Sequence, residues 1–110
     1  MNNKESALYD IVGIVIDCCA TRVDDIGTMS LTIEDVLGVS RAENVVMTRC
    51  ILVGQLLSAG YSVTTIAQFL HKSNQAIRHL LEKGYIYQQT SRAYKIADSE
   101  ATLRCKRYFG

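Results

Sequence analysis

The sequence contains no proline and no tryptophan, and its seven glycines are scattered. Without proline there are no φ-locked turns or forced kinks, which suits a protein made mostly of helix with short connections. No stretch has the composition of a flexible linker or a low-complexity tract. Long apolar runs are missing too. The best, "IVGIVI" at 11–16, lies between Asp10 and Asp17 and is too short to span a bilayer or to form a secretory leader. An excess of one charge is also absent. The net charge is +1, so no strong field advertises a nucleic-acid partner. Phosphate affinity depends on where charges sit, however, and the tail concentrates Arg104, Lys106 and Arg107.

There is no CxxC motif, and the only histidines are His71 and His79, so the ligand spacing of a zinc site is lacking and no metal or cofactor is expected. Adjacent Cys18 and Cys19 make a poor disulfide pair, and with Cys50 and Cys105 they read as reduced, partly buried thiols in a cytoplasmic protein. Paired carboxylates occur as Asp24–Asp25 and Glu34–Asp35, but chain neighbours do not define an acid and a base, and no enzyme is expected.

What remains is a chain of 110 residues, 48% hydrophobic, which fits a single domain over 1–110 with a core large enough to fold unaided. The pattern is all-α, a small helical bundle with helices at about 4–21, 32–37, 42–59, 63–70, 73–83 and 90–105. In the first, Leu8, Ile11, Val12, Val15 and Cys19 recur at helical spacing, with Ser6 as a candidate cap. Hydrophobic on nearly all sides, this helix is also a candidate homodimer interface. The segment around Gly27 reads as loop, followed by a short helix opened by Thr32 and stopped at Gly38. "RAENVVMTRCILVGQLLSAG" reads as a central buried helix ending at Gly60, with Arg49 placed oddly among apolar neighbours. Residues 85–96, "YIYQQTSRAYKI", admit either a β-hairpin wing or helix; Ala93, Ala97 and Ala101 favour the helix, capped by Thr90 or Ser91.

"SVTTIAQFLHKSNQAIRHLLEKG", residues 62–84, reads as two short helices capped by Ser62 and Ser73 and joined through His71–Lys72. So short a joint makes the helices cross steeply. Ile66, Leu70, Ile77 and Leu80 stand where a helix-turn-helix needs aliphatics, and Ala67 where the helices approach. The turn's usual glycine is replaced by His71, a residue that tolerates the left-handed conformation. The outward face of the second helix then holds Ser73, Asn74, Gln75, Arg78, His79 and Glu82. Asn and Gln can pair with adenine and Arg with guanine, while Lys72 and Lys83 can hold phosphate. A solvated helix face carries the same residue types without touching DNA.

Residues 40–79, "SRAENVVMTRCILVGQLLSAGYSVTTIAQFLHKSNQAIRH", resemble the C-terminal DNA-binding domain of the bacterial replication initiator DnaA, a Trp-repressor-like helix-turn-helix. That family has an arginine upstream of an "ARQIAMYL" helix, then "SLPEIGxxFG", then a "DHTTVxHA" signature. "VIDCC…RVDDI" resembles its first helix and the turn after it, and "TSRAYKIADSEA" its last helix, so the likeness covers most of the chain apart from about ten extra residues near 27–36. The resemblance implies that Arg41 reaches the minor groove and that Arg49 faces phosphate. It also implies base reading near Ser73, Asn74, Gln75 and Ala76, with His79 matching a later histidine. None of the family's Asp-His-Thr-Thr is retained at 73–76, so specificity for the initiator's usual site is not implied. There is no GxxxxGK[ST] loop and hence no expected ATPase. The expected function is sequence-specific binding of double-stranded DNA by a replication-initiation-related or transcription-regulatory accessory protein. The competing expectation is a helical protein–protein interaction module that has lost its DNA surface.

Overall fold

The computed structural model describes residues 3–22 and 32–109. These form six helices and no strand: α1 (Asn3–Arg22), α2 (Ile33–Leu37), α3 (Glu43–Ser58), α4 (Val63–Leu70), α5 (Asn74–Thr90) and α6 (Arg92–Phe109). The loop expected around Gly27 lies outside the described residues. No helix among them is long and apolar enough to cross a membrane.

The core forms around α3, which touches every other helix. Its residues Ile51, Leu52, Val53 and Leu56 are fully buried, each contributing about 1.5–3 kcal/mol on leaving water. α1 packs against α6 and α3, and Ile11, Val12, Val15, Cys18 and Cys19 are buried there. These side chains of the helix expected to offer a homodimer interface are spent on the core of their own chain. Ser6 does not cap α1, which begins at Asn3 and carries Ser6 inside its first turns.

The short helix α2 is held at both ends. At its start, the Thr32 hydroxyl accepts from the Asp35 amide at 3.1 Å, and the Thr32 amide donates to the Asp35 carboxylate at 3.0 Å, a reciprocal capping box. α3 stops as expected at Gly60 (φ +100°), where the Tyr61 amide reaches back to the Leu56 carbonyl and the Gly60 amide to that of Leu57.

α5 runs to Thr90, seven residues past its expected end, because Gly84 is not a stop. It is buried where α5 meets α3 and α6: a Cβ there would come within 2.8 Å of the Tyr94 hydroxyl and 3.4 Å of the Cys50 Cβ. Residues 85–97 are therefore helical apart from Ser91, with no wing. The break between α5 and α6 is one residue wide. The Ser91 amide closes α5 on the Tyr87 carbonyl at 2.8 Å, and its hydroxyl accepts from the Tyr94 amide to open α6. Tyr87 and Tyr94 stack across this joint with centroids 5.4 Å apart. A polar cluster invisible in the sequence fixes the rotation of α6. Buried Gln55 on α3 donates to Thr102 at 2.8 Å and to the Asp98 carboxylate, which also accepts from Gln88 on α5. Burial pushes the Asp98 carboxyl up, offset by these two amides. At the far end of α6, the Tyr108 hydroxyl donates to Asp10 on α1 at 2.6 Å.

Candidate nucleic-acid interface

The α4–α5 pair begins with its turn. Ser62 caps α4 by accepting from the Thr65 amide at 3.1 Å, and Ser73 caps α5 by accepting from the Ala76 amide at 3.1 Å. Between them His71 is left-handed (φ 56°, ψ 46°), the one non-glycine residue with positive φ among the described residues. The Lys72 amide returns to the Ala67 carbonyl at 2.9 Å and the His71 amide to that of Gln68 at 3.3 Å, closing α4 in a Schellman motif with histidine in the usual glycine position. The chain thus turns sharply in three residues. Ile66, Leu70 and Ile77 are fully buried behind the turn, with Leu80 and Ala67 nearly so. The aliphatic frame read from the sequence is the frame that packs.

The opposite side of α5 faces water. Ser73, Gln75, Arg78, His79 and Glu82 are exposed, and Asn74 is half-buried. The Asn74 side-chain amide donates to the Thr64 hydroxyl oxygen on α4 at 3.1 Å, a bond between the two helices of the pair. Ser73 differs from a free base reader, because its oxygen accepts the capping bond. His79 lies 4.0 Å from Glu82, a loose contact between two exposed side chains.

Beside this face, an open cleft of about 510 Å³ runs between α5 and the α2–α3 connection. Arg41, Arg49, Lys72, His79 and Lys83 line it, together with Val39, Val46, Ala76 and Leu80. No carboxylate is among the lining residues. Burial and the Arg49 charge both pull the Lys72 ammonium below its usual value, a cost of gathering cations in a recess. A phosphate there would relieve it.

Arg49 has a different task from the direct phosphate contact expected of it. It is 4% exposed. Its Nε donates to the Val36 carbonyl at 2.8 Å, Nη1 to Ser40 at 2.5 Å, and Nη2 to Asp35 at 2.9 Å and Gly38 at 2.8 Å. Four of the five guanidinium N–H groups are thus engaged. They satisfy the orphan carbonyls at the end of α2 and set the path of the chain toward Arg41. Burial lowers its pKa and the Asp35 charge raises it again. Arg49 supplies positive potential at the base of the cleft and builds its wall.

Sequence reasoning named Arg41, Lys72, His79 and Lys83 one at a time; folding brings them into one recess. It missed Thr64 as the partner of Asn74, which no spacing rule would reveal because the bond depends on the crossing angle of two helices. Comparison with known protein families, with curated proteins and with solved structures gives no match.

Proposed function

We propose that this chain binds double-stranded DNA sequence-specifically through α4 and α5, as an accessory protein of replication initiation or transcription regulation. α4 braces across the backbone, and the first half of α5, residues 73–83, enters the major groove. Gln75, Arg78 and Asn74 read base edges. Arg41, Lys72, His79 and Lys83 hold the flanking phosphates, and Arg49 backs them with its charge. The likeness to the DnaA C-terminal domain belongs to the same proposal, with reading residues of this chain's own in place of the family's signature.

One observation carries this reading: a left-handed turn at His71 leaves Gln75 and Arg78 exposed on α5, beside a cationic cleft with no carboxylate in its lining. A solvated helix face alone would not need the cleft. A gel-shift titration against a mixed-sequence duplex tests it. The parent chain is expected to shift the duplex at low salt, and Lys72→Ala to weaken the shift on every sequence. Parent chain that leaves the duplex unshifted would overturn the proposal.

A second reading, a protein-interaction module, draws on Tyr85 and Ile86, 71% and 58% exposed on the second half of α5. It requires retention by a protein partner and none by DNA.

A further inference from the structure

Asn74 and Gln75 are neighbours at the start of α5, and both are residue types that read bases. Their settings differ. Gln75 is exposed and long. Asn74 is half-buried, and one N–H of its amide is committed to the Thr64 hydroxyl oxygen on α4 at 3.1 Å. No buried side-chain oxygen or nitrogen among the described residues lacks a partner. The Asn74 side-chain oxygen, which does not share that bond, is therefore not left both buried and unpaired.

Orientation matters because the two ends of an amide have opposite hydrogen-bonding character. In the major groove, adenine N6 and cytosine N4 donate, whereas guanine O6 and thymine O4 accept. An unrestrained amide can turn over and meet either kind. With its NH2 group held on Thr64, the amide has its oxygen and one N–H left to meet a base. That pair matches the N6 and N7 edge of adenine.

We propose that Thr64 is a positioning residue for base reading: it fixes the Asn74 amide with its oxygen toward the groove, so that Asn74 selects a base carrying a donor, adenine above all. This rests on the DNA-binding reading above and adds a determinant of its specificity. Thr64 itself touches no base. Its effect is confined to one base pair, because Gln75, Arg78 and the cationic cleft do not depend on the Asn74 bond.

Selection from a pool of random duplexes tests this with the parent chain, Thr64→Val, Thr64→Ser, Asn74→Ala and the Thr64→Val/Asn74→Ala double variant. The parent should enrich a motif with adenine, or secondarily cytosine, at one position. Thr64→Val should relax the preference at that position about five- to tenfold and leave the rest of the motif and the salt dependence as in the parent. Thr64→Ser, which keeps the hydroxyl, should retain the preference. Asn74→Ala should flatten the same position, and the double variant should lose nothing more. Thr64→Ala takes the place of the valine variant if that one melts early. Guanine or thymine at the position that Asn74→Ala flattens would overturn the inference while leaving DNA binding intact, as would a Thr64→Val motif identical to the parent's. A uniform loss across all positions would mark Thr64 as a fold residue only, and also overturns it. A parent chain that enriches no sequence overturns the specific-DNA-binding reading itself, and this inference with it.

Discussion

Two basic regions invite comparison. In the linear sequence the denser one is the tail, with Arg104, Lys106 and Arg107 in four residues. On α6, however, Arg104 is paired with Glu100 at 2.7 Å, and the recess that Lys106 lines, with Gln55, Thr102 and Phe109, holds no second cation. The cleft beside α5 is the reverse case. Arg41, Arg49, Lys72, His79 and Lys83 are strewn over 41–83 with Glu43 and Glu82 between them; the fold collects the bases, neither acid lines the cleft, and Glu82 makes a loose 4.0 Å contact with His79 at its edge. A net charge of +1 is thus compatible with one strongly cationic surface. What matters for phosphate binding is convergence in space.

The sharpest way to break this comparison is to reverse charges in each region. Lys72→Glu with Lys83→Glu should lower duplex affinity by about a hundredfold at moderate salt, whereas Lys106→Glu with Arg107→Glu should change it by no more than about threefold. Fluorescence anisotropy with a labelled mixed-sequence duplex measures both. Equal losses from the two pairs would erase the distinction between cleft and tail.

Within the cleft, the two arginines should separate cleanly. Arg49→Met removes the donors of four carbonyls and should cost about 3 kcal/mol of stability, a fall in melting temperature of roughly 10 °C or more. Arg41 is exposed, and Arg41→Ala should leave the melt unchanged while weakening binding about tenfold and flattening the salt slope by about one unit. Thermal melts followed by circular dichroism check the first; titrations at several salt concentrations check the second. Gly84→Ala should be milder: helix propensity favours alanine, but the clash with Tyr94 and Cys50 should leave a net loss of about 1–2 kcal/mol in a denaturant titration.

The smallest effect concerns pH. Lys72 is held below the ordinary lysine value by burial and then by Arg49. Phosphate binds the protonated amine, so affinity should fall as pH rises through the Lys72 pKa, earlier than an exposed lysine would allow. Lys72→Arg, which stays charged, should blunt the loss between about pH 8 and about pH 10. Identical pH profiles for the two proteins would show that Lys72 contributes no charge to the bound state.

The legible part of the fold was the part governed by local chemistry. Ser62 and Ser73 announce helix starts through their hydroxyls, Gly60 announces a stop, and the spacing of Ile66, Leu70, Ile77 and Leu80 announces a shared core. Even the left-handed His71 was foreseeable, since only a residue tolerant of that conformation could stand in the turn. The misread parts depend on distant partners. The helix expected over 73–83 runs on through Gly84, which packs where α5 meets Tyr94 and Cys50. Arg49 resembles a phosphate ligand until the carbonyls of residues 35–40 surround it, 9 to 14 positions away in the chain. The candidate site was legible residue by residue. Its shape was not, because the cleft's walls come from the α2–α3 connection, α3 and α5 at once.

The measurement that bears most directly on the central claim is the salt dependence of duplex binding by the parent chain. If the cleft and the exposed side of α5 engage the phosphate backbone through Arg41, Lys72, His79 and Lys83, the logarithm of affinity should fall linearly with the logarithm of salt concentration, with a slope of about −2 to −4. A slope indistinguishable from zero, or no measurable binding at about 50 mM salt, would contradict it.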